Sequence, residues 1–184
     1  MALLAGQPQG AAVSFPRAVV MVLAAYVGLL VTSSLLALSP WRLPTPEIAL
    51  CVVLYLGLGG RGTAPTHVGV ALVIGYLADL SAGAPKGLHA LTLAVAMVVA
   101  RAASSRLDVA TSWHTVVIAG VAAVAHALVL LALSSTLYDG DTLASLRLIP
   151  PMAVATALVA PFVFSILRKL DRRLQPDPRA LRMS

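Results

Sequence analysis

The sequence is short of charge. Thirteen Lys and Arg plus seven Asp and Glu among 184 residues make 11% charged, where a soluble domain carries about 25%. A soluble fold of this length needs more polar surface than that, so a water-soluble globular domain is excluded. Aromatic residues are scarce as well, at 5%, and few polar groups converge within the apolar runs, which argues against a dedicated small-molecule pocket. The single cysteine, Cys51, rules out an intramolecular disulfide and reads as a small buried hydrophobe. Catalytic signatures are missing too. There is no GxSxG elbow, no phosphate-cradling GxxxxGK[ST] or GxGxxG, no HExxH and no Cys/His cluster. Paired carboxylates and a Ser/His/Asp set are also absent from the spacing. The expectation is a non-enzymatic protein without cofactor or metal.

What is there is apolar. Hydrophobic residues make up 59% of the chain and the mean hydropathy is +0.93, the character of a polytopic membrane protein. The first fifteen residues hold no basic residue, and the run opening at Ala18 is too long for a signal-peptide core and lacks a cleavage site. It reads as a retained first span. Hydropathy and turn residues predict an all-α bundle in one domain over 1–184, with spans at 18–38, 46–59, 65–80, 87–103, 114–137 and 146–167. Thr45-Pro46-Glu47 predicts the second helix start, with Thr45 as cap, Pro46 at the first helical position and Glu47 at the positive end of the dipole. Pro150-Pro151 predicts a late or broken start to the sixth helix, and Pro161 a kink.

The net charge of +6 is distributed by topology. Six of the thirteen basic residues lie between Arg168 and Arg182, with Arg168, Lys169, Arg172 and Arg173 directly after the last span. Such a cluster predicts a cytoplasmic tail, 168–184, on anionic lipid headgroups rather than a nucleic-acid surface. Six spans with both ends cytoplasmic leave Arg42, Lys86 and Arg147 alone on the opposite side, against ten basic residues within. The turn at 81–86 is then external.

One stretch organises the rest, GVALVIGYLADLSAGAPKGLHALTL from Gly69 to Leu93. Two apolar runs meet there across Gly83, Pro85 and Gly87, with Asp79 before the turn and His89 after it. A carboxylate this deep needs a reason, because a charge at the bilayer centre costs about 2.5–3.5 kcal/mol on insertion scales. Asp79 is either a corner-organising or partner-facing acid, accepting from turn N–H groups at 83–87, or an interfacial acid that reaches water. Lys86 suits an interface anchor, with pairing to Asp79 a weaker option. His89 and His126, inside apolar runs, predict interhelical hydrogen bonds or interfacial positions rather than ligation. Arg101 reads as a helix-end charge facing the cytoplasm.

The corner GYLADLSAGAPKGLHAL resembles the motif of the MreD family of rod shape-determining proteins. That motif runs loosely as Gly-Phe-x-x-Gly-x-x-x-Asp, small residues, then Pro-x-Gly-x-x-Ala-Leu. Gly75, Asp79, Gly83, Pro85, Gly87, Ala90 and Leu91 stand at matching positions. Ala78 replaces the Gly that often precedes the Asp, and Lys86 occupies a position commonly apolar. TPEIALCVVLYLGL is similar to that family's second helix. The resemblance implies an inner-membrane scaffold of the bacterial elongation machinery. Its partners would be MreC first, with MreB, RodA and the elongation-specific transpeptidase. It also implies a six-helix fold similar to substrate-binding subunits of energy-coupling factor transporters, and such a vitamin-binding subunit is the alternative function.

Overall fold

A computed structural model describes residues 15–38, 45–59, 64–82, 86–104, 112–137 and 142–174. Within them the chain forms six helices and no strand. These are α1 (Phe15–Leu38), α2 (Ile48–Leu58), α3 (Ala64–Ala82), α4 (Leu88–Ser104), α5 (Ser112–Leu137) and α6 (Thr142–Arg173). Four contain stretches long and apolar enough to cross a membrane, Phe15–Leu35, Pro65–Ala82, Trp113–Thr136 and Leu146–Arg173. That is the make-up of a multi-pass membrane protein. Of the six expected spans the second, 46–59, is short for a full crossing, and α2 has 11 residues and α4 has 17. At 1.5 Å per residue, α2 rises about 16 Å, half the thickness of a hydrocarbon core.

The reason α2 is short is that it is not a wall of the bundle but its centre. Every residue from Ala49 to Gly57 is buried, and all five other helices pack on it. A helix that is apolar all round, IALCVVLYLGL, has no polar face to give to solvent and is wrapped instead. Gly57 sets the approach of α4, since a Cβ there would come 2.7 Å from the Cβ of Ala100.

The exterior is the reverse of a soluble protein's. Leu23, Val27, Val98, Val99, Leu158 and Phe162 are all exposed, whereas His67, Asp79, Thr92, His126, Thr156 and Asp171 are buried. Apolar side chains face outward where lipid tails lie, and the polar ones find partners within.

Three expectations are corrected. The second helix starts at Ile48 rather than Pro46, with Glu47 as its N-cap residue and no side-chain capping bond. Pro46 therefore lies before the helix, and its carbonyl accepts from the Ile48 N–H at 3.1 Å. The sixth helix starts at Thr142 and runs unbroken through Pro150, Pro151 and Pro161. Third, Arg168, Lys169, Arg172 and Arg173 belong to the last turns of α6 rather than to a separate tail. Asp171 explains that extension. Its carboxylate pairs with Arg17 at the start of α1, 2.7 Å away, and accepts from the Tyr55 hydroxyl of α2 at 3.4 Å. This pair also brings the first turn of α1 and the last turn of α6 to the same end of the bundle.

Packing between α3 and α4 depends on Gly75. A Cβ on Gly75 would come within 2.6 Å of the Ala90 backbone nitrogen and 2.7 Å of the His89 carbonyl oxygen, and backbone cannot swing aside as a side chain can. Gly69, on the same helix, has nothing within 4 Å of that position. Gly75→Ala should therefore lower stability by about 1–3 kcal/mol, the usual cost of overpacking, while Gly69→Ala leaves it unchanged or slightly raised. Thermal unfolding of the two variants in detergent, read by circular dichroism, checks the contrast.

Candidate functional site

At the end of the bundle opposite the Arg17–Asp171 pair, two carboxylates each hold an imidazole. The first is Asp79, on the last full turn of α3 and 1% exposed. Its Oδ2 accepts from the Gly87 N–H at 2.8 Å and more weakly from the Ala90 N–H at 3.4 Å. Its Oδ1 accepts from the His89 N–H at 2.8 Å and from His89 Nδ1 at 2.9 Å. The first turn of any α-helix leaves N–H groups without intrahelical partners. Here a neighbouring helix supplies the acceptor, so α3 caps α4 across the turn, and the carboxylate sits where the α4 dipole favours negative charge. Gly87 makes the entry possible by adopting φ +101°, a left-handed backbone that glycine takes without a Cβ clash. Leu91 N–H then donates to the Gly87 carbonyl at 2.9 Å and α4 begins.

Sequence reasoning had the turn N–H groups at 83–87 as Asp79's donors. The donors found are Gly87 and the first turn of α4, with the His89 ring as an addition. Gly83 and Pro85 lie outside the described residues. Lys86 is exposed and forms no ion pair with Asp79.

The second pair was not anticipated. Glu47 does not cap its own helix; its Oε2 lies 2.9 Å from Nδ1 of His126 on α5. The Glu47 N–H donates to Thr156 Oγ1 of α6 at 3.0 Å, and that hydroxyl gives its own proton to the Met152 carbonyl at 2.9 Å. His126 Nε2 meets Thr92 Oγ1 of α4 at 3.1 Å. One residue thus ties the start of α2 to α5 and α6, and through His126 to α4. The two imidazoles, His89 and His126, stand 6.4 Å apart between ring centroids, and both border a cavity of about 170 Å³ between the ends of α1 and α3 and the starts of α2 and α4. An ionisable group buried in an apolar run calls for a partner, so His126 carried a signal. The identity of that partner, 79 positions away, did not show in the spacing.

At the other end, Arg101 Nη1 lies 2.9 Å from His67 Nδ1. A guanidinium has only protons to give, so His67 accepts at Nδ1 and carries its proton on Nε2. Arg101, read from the sequence as a simple helix-end charge, ties α4 to the start of α3. Arg168, Lys169, Arg172 and Arg173 are exposed beside Asp171. Among the described residues no group of three or more His, Cys, Asp or Glu could hold a metal ion.

Two outcomes follow for stability. Asp79→Ala leaves three N–H groups and an imidazole without their acceptor, and hydrogen bonds to a charged group are worth about 1.5–3 kcal/mol. Unfolding in mixed micelles should show a loss of at least that size, with Asp79→Asn intermediate. A double-mutant cycle on Glu47→Gln and His126→Ala should give a coupling of about 1–3 kcal/mol, whereas cycling Glu47→Gln with the exposed Trp113→Ala should give none. Against family models, curated proteins and solved structures alike, the chain finds no match.

Proposed function

We propose that the protein is a non-enzymatic scaffold of the MreD kind in the bacterial inner membrane, linking MreC and MreB to peptidoglycan synthesis by RodA and the elongation-specific transpeptidase and so maintaining rod shape. The observation that carries this reading is the use made of the residues in the resemblance. Gly75 permits contact with the α4 backbone at Ala90, Asp79 caps α4, and Gly87 turns the chain at positive φ. A motif in which Gly75, Asp79 and Gly87 serve one helix corner reads as a structural device. It fits a protein that presents a fixed surface better than one that turns over a substrate.

On this reading α3 and α4 form a rigid unit at the external end, with Asp79 and His89 at its apex, and Pro46 and Glu47 beside it. The basic end of α6 lies on anionic headgroups at the cytoplasmic face, where Arg168, Lys169, Arg172 and Arg173 favour negative lipid. Scaffolding demands that partner-facing helices hold their relative position. A capped and interlocked corner does that without chemistry.

The test is affinity purification of the tagged protein from native membranes in mild detergent. MreC should be recovered with it. Asp79→Ala should still insert but recover less MreC and fail to restore rod shape in a strain lacking the wild-type protein. Recovery of an ATPase pair and a bound vitamin in place of MreC would instead establish the transporter-subunit alternative, and full rescue by Asp79→Ala would remove the corner from the function.

A further inference from the structure

The cavity between the two carboxylate–imidazole pairs has an unusual hydrogen-bonding inventory. Thr32 has given its proton to the Gly28 carbonyl at 2.9 Å, and Ser81 has given its proton to the Leu77 carbonyl at 2.8 Å. Both border the cavity with lone pairs remaining. Glu47 uses Oε2 for His126, and Oε1 has no hydrogen-bond partner among the described residues. In His89, Nδ1 faces the Asp79 carboxylate, which accepts only, so the proton is on Nδ1. When that ring is neutral its Nε2 is an acceptor, again without a partner among the described residues. Ser33 and Thr45 add hydroxyls that can turn either way.

The lining is therefore rich in acceptors, and among the described residues no lysine or arginine borders it. Its remaining wall is apolar, supplied by Leu29, Ile48 and Leu93. A carboxylate with a free oxygen in such surroundings attracts a positive charge far more strongly than it would in water. An anion or a neutral acceptor would find donors only in the Ser33 and Thr45 hydroxyls, against a larger number of lone pairs.

We infer that this cavity is a binding site for a protonated amine or guanidinium on an aliphatic stem, with Glu47 as counter-ion and His89 Nε2, Thr32 and Ser81 as further acceptors. The head has several N–H donors to spend on these groups, and the stem lies against Leu29, Ile48 and Leu93. A free alkylamine and the Lys or Arg side chain of a neighbouring protein share this chemistry. The site stands apart from the scaffold reading, since either source is compatible with it.

The experiment uses the full-length protein in nanodiscs, with 15N-labelled histidine read by NMR and with n-butylguanidinium, n-butylammonium and butyrate as probes. Both cations should bind saturably and shift the His89 Nε2 resonance, and butyrate should not. Glu47→Gln should weaken the cations about tenfold or more, the scale for hydrogen bonds to a charged group. Because Glu47 also holds α2, Ser81→Ala provides a second variant that leaves the helix contacts in place, and it should weaken butylguanidinium by a smaller factor. Arg42→Ala should not abolish the response, as it would if the chain's own arginine were required. An amine released on denaturing the purified protein identifies a free ligand. Displacement of a co-purified protein by butylguanidinium identifies a basic side chain as the occupant. Equal binding of butyrate, no saturable shift with either cation, or full affinity in both Glu47→Gln and Ser81→Ala would overturn the assignment.

Discussion

A buried carboxylate surrounded by hydrocarbon has two ways to persist: it takes up a proton, or it collects enough N–H groups to replace the water it lost. Asp79 takes the second course, and the rest of the outer end follows from it. The donors it gathers are the ones that every helix start leaves over, so satisfying the acid and starting α4 are the same event. That shared solution fixes the angle at which α4 leaves the turn, and Gly75 lets α3 lie close enough for the carboxylate to reach. The same logic recurs at Asp171, where an arginine and a tyrosine take the place of backbone donors, and at Glu47, where a histidine does.

Asp171 and Glu47 join elements that are distant along the chain. Arg17 and Asp171 are 154 positions apart, Tyr55 and Asp171 are 116, and Glu47 and Thr156 are 109. In a lipid environment apolar contact offers little preference for one neighbour over another, because tails are as apolar as leucine. Polar pairs of this kind then decide which helix sits beside which, while small residues such as Gly57, Gly75 and Ala100 decide how closely they approach.

How much of this was legible in the sequence depends on the reach of the interaction. Runs of apolar residues mark the first five helices to within three positions, because length and hydropathy are local, whereas α6 extends beyond its expected span at both ends. The α3–α4 corner was legible as well, since Asp79, Gly87 and His89 lie within eleven residues. What could not be read was any partner far along the chain. Asp171 looked like one acid in a basic tail until Arg17 stood opposite it, and Arg101 looked like a free end charge until His67 did. Glu47 was read through its own helix dipole, yet it serves α5. The start of α2 was misplaced by two residues because Pro46 suits a first helical position so well, but Glu47 is pulled toward Thr156 and His126 before the helix closes. Pro150 and Pro151 likewise signal a break that the tertiary contacts of α6 override.

The central placement of α2 bears on how such a protein is made. An eleven-residue rod that is sheathed on all sides by its own chain cannot reside alone between two leaflets, for it spans about half of them and leaves end groups with no water to meet. Membrane insertion delivers the outer walls one by one, and only after α5 and α6 have arrived do His126, Thr156 and Asp171 exist to receive its two ends. The middle of this bundle therefore completes its polar contacts only once α5 and α6 are in place.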